Sequence, residues 1–226
     1  MMKRTKLKKQ DKLFITGCDQ SQTWMLPWFI ENYRKHNDTP ICFCDFGVDQ
    51  ATIAWMQTMN VFDLFLQIRD VKVGGWFLKP YAMFHSPAPT TCWIDTDCEV
   101  LGDISGVFDY IQPGKLAMAI DRPWSKRSGE EWHNSGVVGV KGKPEVLRKW
   151  MNAVETEPKR GDQETLHHIL PTPLDKMINI TEIPNRYNWL RVQLENDNED
   201  SPDKLIMHWT GKKGKDKIKD KIKGKA

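Results

Sequence analysis

The feature that most constrains the fold is a series of apolar segments in the first half of the chain that run into aspartates. Residues 90–95, TTCWID, are apolar almost throughout, as expected of a central parallel strand that is covered on both faces. Segments 12–19 and 39–47 are also strand-like, and they carry Asp19 and Asp45 at or near their ends. Because helix-patterned segments separate these strands, the sequence predicts an α/β fold with a mostly parallel central sheet flanked by helices.

The apolar spacing predicts further elements along the chain. Apolar residues at helical spacing predict helices over five segments, 23–37, 51–59, 75–87, 143–156 and 161–170. Further strands are predicted at 61–68, 115–121, 135–142 and 205–211.

Charge divides the chain into a body and two basic ends. The net charge is +3, but residues 1–11 and 212–226 are rich in lysine, so the body between them is acidic. We expect a basic N-terminal extension over 1–11, a single domain over 12–211 and a disordered Lys-rich tail over 212–226. Because the basic residues lie at the ends, the composition argues against a nucleic-acid-binding surface on the fold.

Composition also bears on the compartment. No apolar run approaches the length of a membrane span, and the basic N-terminus lacks the apolar segment of a secretory signal. The five cysteines are an odd number inside apolar stretches, which is typical of reduced thiols. We therefore expect a cytoplasmic protein, with weak peripheral contact to an anionic surface through the lysines of the tail.

Asp95 and Asp97 are the strongest chemical signal. In extended backbone, residues two apart point the same way, so the two carboxylates can converge on one ion. Hard oxygen ligands suit Mg²⁺ or Mn²⁺, which often bind substrate phosphates as well. A pair of this kind also occurs by chance at solvated loop ends. The sequence contains neither a GxGxxG fingerprint nor a P-loop.

The chain resembles the GT-A glycosyltransferases, most closely the retaining family that contains glycogenin and the bacterial lipopolysaccharide galactosyltransferases. The resemblance spans roughly residues 12–213. Six segments carry it, in order: FITGCDQSQTWM (14–25), FLKPYAMFHSPAPTTCWIDTDCEVLGDIS (77–105), HNSGVVGV (133–140), GDQETLHHIL (161–170), IPNRYNW (183–189) and MHWTGKKGK (207–215). It implies a Rossmann-like GT-A fold and sugar transfer from a nucleotide-sugar donor, such as a UDP-sugar, with retention of configuration.

The resemblance also assigns roles to residues. Asp95, Asp97 and His208 would hold Mn²⁺ or Mg²⁺, and a histidine ligand favours Mn²⁺. Residues expected to bind the nucleotide or donor are Thr16, Gly17, Cys18, Asp19, Asp45, Lys79, Asn134, Ser135, Gly136, Gly211 and Lys213. Asp162 and Gln163 fall at the family's reaction centre. The choice of Lys213 over Lys212 or Lys215 is open, because Gly214 stands where the family has its lysine.

Each assignment has a competing interpretation. Asp45 is equally a helix N-cap, His208 is equally a core or surface histidine, and Asp162 is equally a helix-start carboxylate. The whole chain also has alternatives. One is a phosphohydrolase of the haloacid dehalogenase type, whose strand also ends in DxD, and another is a sugar-nucleotide-binding protein without activity. The sequence does not identify the acceptor.

Overall fold

The computed structural model describes residues 11–68 and 71–224. Almost all of the predicted N-terminal extension therefore lies outside the described residues. The strands are β1 (Lys12–Cys18), β2 (Ile41–Asp45), β3 (Leu64–Gln67), β4 (Thr90–Ile94), β5 (Cys98–Val100), β6 (Leu116–Ile120), β7 (His133–Lys141), β8 (Ile180–Glu182), β9 (Trp189–Leu190) and β10 (Ile206–His208).

The helices alternate with the strands over the first hundred residues, as predicted. They are α1 (Leu26–His36), α2 (Gln50–Thr58), α3 (Lys79–Phe84), α4 (Arg122–Ser128), α5 (Glu145–Thr156), α6 (Asp162–Ile169), α7 (Pro173–Asn179), α8 (Arg191–Asn196) and α9 (Gly211–Ile222). Short 3-10 helices lie at Gln20–Met25, Gly75–Leu78, Ser105–Tyr110 and Asn185–Tyr187. The predicted helix over 75–87 is thus a 3-10 turn that continues into α3, with Pro80 in the first turn of α3, where its missing N–H costs nothing.

A seven-stranded sheet forms the centre, in the order β3-β2-β1-β4-β7-β6-β8. Only β7 runs antiparallel to its neighbours, and the other four pairings are parallel. The predicted α/β class with a mostly parallel sheet is therefore confirmed. A second, three-stranded sheet has the order β5-β10-β9.

The core lies on both faces of the large sheet because its central strands are apolar throughout. In β1, Phe14 packs into one hydrophobic cluster with Tyr33 of α1, whereas Leu13 and Ile15 belong to the cluster on the other face. That second cluster contains Trp150 of α5, which is fully buried. The alternation follows from the two-residue period of a strand. Among the described residues, no helix is long and apolar enough to cross a membrane.

The expectation of a disordered tail is wrong for residues 212–222, which form most of α9. Ile218 is fully buried in the core, and the backbone of α9 touches that of Trp209: a Cβ on Gly214 would lie 2.0 Å from the Trp209 carbonyl oxygen. Lys221 also pairs with Glu99 at 3.2 Å. Helical stability in proteins comes chiefly from tertiary packing, so one buried isoleucine anchors a segment whose composition alone resembles a solvated tail.

Candidate active site

Asp95, Asp97 and His208 converge at the carboxyl end of β4. Asp95 follows β4, and Asp97 directly precedes β5. His208 pairs with Cys98 across β5 and β10, and this pairing carries its ring to the carboxylates from the far end of the chain. His208 Nε2 lies 3.2 Å from Asp97 Oδ1 and 4.0 Å from Asp95 Oδ2.

The imidazole of His208 is held in one orientation. Its Nδ1 lies 2.9 Å from Asn188 Oδ1, and Asn188 Nδ2 donates to Asn134 Oδ1 at 2.9 Å. Gly136 leaves room for the ring, because a Cβ there would lie 2.1 Å from His208 Cε1. A proton on Nδ1, donated to Asn188, leaves the Nε2 lone pair facing Asp97, which is the arrangement that a metal-binding histidine requires.

Electrostatics agree with a site built for a cation. Burial works against the charged imidazole of His208, but the adjacent Asp97 and Asp95 outweigh it and raise its pKa. Asp95 has a raised pKa because it is buried and because Asp97 is close, although Lys79 opposes this. Two carboxylates and one imidazole nitrogen are a donor set that fits Mn²⁺ or Mg²⁺.

Lys79 is the buried cation of the site. Its side chain is only 2% exposed, and Nζ lies 3.0 Å from both Asp95 Oδ1 and Asp162 Oδ2. Nζ also donates to the Ser135 carbonyl oxygen at 2.8 Å. Burial alone would lower the pKa of Lys79, but the charges of Asp162 and Asp95 outweigh it, so the pKa is raised and the lysine stays charged. Lys79 therefore links Asp95, a predicted metal ligand, to Asp162, a residue of the predicted reaction centre.

Gln163 is held at both ends of its side-chain amide. Its Oε1 accepts from the Ser135 backbone N–H at 3.2 Å, and its Nε2 donates to Asp121 Oδ2 at 3.1 Å. Asp121 also accepts from Asn134 Nδ2 at 3.0 Å and caps α4. Sequence reasoning missed Asp121, yet KLAMAID places it at a strand end as TTCWID places Asp95, and that signal could have found it.

Two adjacent clefts meet at Asp95 and Asp97, which line both of them. The first cleft lies against the end of β1, and its lining includes Gly17, Cys18, Asp19, Trp76, Lys79 and Lys215. The second lies above β7 and α6, and its lining includes Asp121, Asn134, Ser135, Asp162, Gln163 and His208. Gly136 and Gly211 line the second cleft as well.

Four of the predicted nucleotide or donor residues, Gly17, Cys18, Asp19 and Lys79, line the first cleft, and four, Asn134, Ser135, Gly136 and Gly211, line the second. Burial raises the pKa of the Cys18 thiol to about 12, so this group is neutral. The carboxylate of Asp19 accepts from both the N–H and the hydroxyl of Ser21. Thr16 is fully buried in β1, below the cleft. Gly17 needs to be glycine, because a Cβ there would lie 2.5 Å from the Cys44 carbonyl oxygen.

Besides Thr16, two predicted residues do not line either cleft. The carboxylate of Asp45 is occupied by the turn after β2, where it accepts from the N–H groups of Gly47 and Val48, and by Gln67. It is not the N-cap of α2 either, because Asp49 has that role. Lys213 is exposed, and of the three lysines considered after Gly211 it is Lys215, past the Gly214 contact, that lines the first cleft. The preference for Lys213 is therefore corrected to Lys215.

Three aromatic residues, Phe46, Trp76 and Trp93, also line the first cleft. Trp93 stacks on Phe46 with ring centroids 5.8 Å apart and planes within 5°. Trp93 Nε1 donates to Asp95 Oδ1 at 2.6 Å, so the strand's own indole orients the first aspartate. Trp76 is 58% exposed at the rim. Apolar spacing alone does not distinguish a cleft wall from a core.

Comparison with solved structures shows that the chain has the GT-A glycosyltransferase fold. The structure of the glycosyltransferase GlyE from Streptococcus pneumoniae TIGR4 is similar, with a TM-score of 0.70 and 17% identity over 90% of this chain. The match covers 55% of the GlyE chain, so this chain spans about half the length of that relative.

Two further solved structures share the fold. The galactosyltransferase LgtC, in complex with donor and acceptor sugar analogues, matches with a TM-score of 0.61 and 13% identity, over 88% of this chain and 87% of its own. Mouse xyloside xylosyltransferase 1 matches with a TM-score of 0.56 and 11% identity, over 88% of this chain and 97% of its own. No protein-family model matches the sequence, and a search of curated proteins finds no significant match.

Proposed function

We propose that this protein is a metal-dependent glycosyltransferase that moves a sugar from a nucleotide-sugar donor, such as a UDP-sugar, to an acceptor with retention of configuration. The observation that carries the proposal is the convergence of Asp95, Asp97 and His208 at the junction of two clefts, beside the buried ammonium of Lys79. A nucleoside would occupy the first cleft, and the donor sugar and acceptor would share the second.

Asp95, Asp97 and His208 are the residues that would hold Mn²⁺ or Mg²⁺. When bound there, the ion would neutralise charge that develops on the leaving diphosphate. Lys215 and the amino-terminal end of α9, at Thr210 and Gly211, lie at the same junction and add positive potential for phosphate. Lys79 is already held by Asp95 and Asp162, so its first role is to pair with both carboxylates and hold them in place.

The second cleft supports same-face substitution. Gln163 is a weak nucleophile, and its amide is fixed by Ser135 and Asp121, so it can position the sugar rather than attack it. The incoming hydroxyl would attack on the face that the diphosphate leaves, and the leaving phosphate oxygen would take the hydroxyl proton. Catalysis would then be positional and electrostatic. One LgtC structure is of an active-site mutant in which a glutamine is replaced by glutamate, so an active-site glutamine has a precedent in this fold.

A thermal-shift panel tests the proposal. We expect Mn²⁺ with a matching nucleotide sugar to raise the melting temperature of the wild type, and Asp97→Asn to remove the shift. The matched control is Asp103→Asn, because Asp103 is an exposed aspartate whose carboxylate only accepts from the Ser105 N–H. A full panel of nucleotide sugars that gives the wild type no metal-dependent shift contradicts the proposal.

Analysis of the products tests retention of configuration and distinguishes sugar transfer from the two alternative functions. NMR of the first-formed anomer should show retention, and an inverted anomer would rule out the positioning roles proposed for Asp162 and Gln163. Metal-dependent binding without transfer to any acceptor would indicate a binding protein, and phosphate release from simple phosphomonoesters would indicate a phosphohydrolase. The exposed lysines of α9 would add a weak, salt-sensitive attachment to an anionic surface.

A further inference from the structure

A second group of metal-type ligands lies at the edge of the large sheet, outside both clefts. Glu131 precedes β7, His133 is the first residue of β7, and Glu182 is the last residue of β8. Strand β6 lies between β7 and β8 and pairs Ile120 with His133 and Met118 with Glu182. One ligand atom from each of the three side chains lies within 4.8 Å of the others.

We propose that Glu131, His133 and Glu182 form a second divalent-metal site of the kind that takes Zn²⁺. The site would tie the segment before β7 to the edge strand β8. It is independent of the proposed glycosyltransferase function, because it shares no residue with the Asp95, Asp97 and His208 group.

The distances are close to those that zinc needs. Tetrahedral Zn²⁺ with bonds of about 2.0–2.1 Å places neighbouring ligand atoms about 3.3 Å apart. His133 Nε2 lies 3.9 Å from Glu131 Oε1. Glu131 and Glu182 are exposed, so rotation of their side chains can close the remaining distance without moving the backbone. The less mobile ligand is His133, which the fold already fixes.

The buried imidazole of His133 has a nitrogen that is unpaired within the described residues, which indicates a bound group at this site. Its side chain is 4% exposed, and Nε2 makes no hydrogen bond within the part of the chain that the structure describes. His133 lines a cleft at this edge of the sheet together with Glu131, Glu182 and Lys176. Buried polar atoms are nearly always paired, so the unpaired nitrogen of His133 calls for an occupant of this cleft.

The charges favour a cation as that occupant. Glu131 and Glu182 place two carboxylates, which repel each other, beside the buried imidazole of His133. Nε2 of that imidazole has no partner within the described residues and is a nitrogen ligand facing Glu131. A divalent ion between the three would relieve the repulsion and pair the imidazole nitrogen.

Two lysines also face the cleft and do not satisfy its carboxylates. Lys176 Nζ donates to the Glu131 carbonyl oxygen, and Lys115 Nζ donates to the Met177 carbonyl oxygen at 2.7 Å. Among the described residues, neither lysine forms an ion pair with Glu131 or Glu182 within 4.0 Å. The positive charge of the two lysines lowers the affinity of the site for a metal ion, but the lysines do not pair with the two carboxylates in place of the ion.

Zinc titration of the full-length chain, stripped with a chelator, tests the site. The first group offers Asp97, Cys98 and His208 as zinc ligands, so Asp97→Asn serves as the background that weakens it. In that background we expect one Zn²⁺ per chain, and X-ray absorption at the zinc edge should show imidazole and oxygen ligands only. A zinc–sulfur distance of about 2.3 Å would place the ion at Cys98 instead and overturn the proposal.

Ligand variants make the assignment specific. Glu131→Gln and Glu182→Gln are isosteric changes of exposed residues, so they should fold, and each should lower zinc affinity at least about tenfold. His133→Gln should do the same. Glu145→Gln should not, because Glu145 is exposed and, among the described residues, its only ion pair is with Arg148. Unchanged zinc affinity in both glutamate variants, or no zinc binding in the background, would overturn the proposal.

Discussion

Replacing Lys79 by methionine is the sharpest test of how the site is held together. The change keeps most of the aliphatic volume of the side chain and removes the ammonium that lies 3.0 Å from both Asp95 and Asp162. Two carboxylates then remain beside each other without a cation. Their side chains are 26% and 10% exposed, so water can compensate only partly.

The expected cost follows from that burial. Removing one partner of a buried ion pair typically costs about 3–5 kcal/mol, because the remaining charge is left unpaired. Asp95 can regain some hydration, so we expect the lower end, about 3 kcal/mol. For a chain of this size, that corresponds to a fall in Tm of about 6–12 °C.

The pH dependence gives a second measure of the same variant. The pKa of Lys79 is raised, so its contribution is present below the ordinary lysine pKa and is lost only above the raised value. It is therefore constant from about pH 5 to 9 in the wild type. In the variant, Asp95 loses the cation that opposes the rise of its pKa, so its carboxyl binds protons more readily when folded. The stability gap should thus narrow as the pH falls towards about 5.

Urea denaturation of the metal-free protein at several pH values measures both effects. Lys72→Met is the matched control, because Lys72 is 88% exposed and its pair with Glu155 spans 3.8 Å, so it should cost at most about 0.5 kcal/mol. If Lys79→Met costs no more than this control, or if its deficit grows at acid pH, the account of Lys79 as the neutralising cation is refuted.

Two further changes test the placement of His208 and of α9. Gly136→Ala puts a Cβ 2.1 Å from His208 Cε1, so we expect the rise in melting temperature with Mn²⁺ and nucleotide sugar to disappear. Gly74→Ala should keep that rise, because no described atom lies within 4 Å of a Cβ there. A full rise in Gly136→Ala would contradict this geometry. Ile218→Ala should destabilise by about 2–4 kcal/mol and speed hydrogen exchange in α9, whereas Ile222→Ala, at 47% exposure, should cost less than about 1 kcal/mol. Equal effects of the two isoleucine changes would show that α9 is not anchored through Ile218.

Local patterns predict the parts of this protein that depend on near neighbours in sequence. The apolar segment before Asp95 predicts a buried strand, and the stripe from Val146 to Val154 predicts the helix α5. The spacing of Asp95 and Asp97 predicts that both can face one ion, but the reason differs from the predicted strand period. Residues 96 and 97 lie in a turn closed by the hydrogen bond from the Cys98 N–H to the Asp95 carbonyl oxygen, and this turn brings the two carboxylates together. None of these inferences needs knowledge of distant residues.

The partners of those carboxylates depend on the tertiary structure. His208 reaches Asp97 only because β10 pairs with β5, and Lys79 becomes buried only because α3 places it between Asp95 and Asp162. Asp45 also stands at a strand end, as Asp95 does, but it does not join the site. Its carboxylate accepts hydrogen bonds from the N–H groups of Gly47 and Val48 in the turn after β2.

The C-terminal tail, residues 212–226, shows most clearly the difference between what the sequence predicts and what the tertiary structure decides. Its sequence is lysine-rich with two isoleucines, a composition that cannot fold alone, yet Ile218 is buried and Lys215 reaches the first cleft. Sequence by itself therefore determined the sheet class, through periodicity, and identified the acidic pair after the apolar strand. Tertiary structure decided which imidazole, lysines and helix complete the site, because those contacts depend on how distant segments pack and not on the pattern within any one of them.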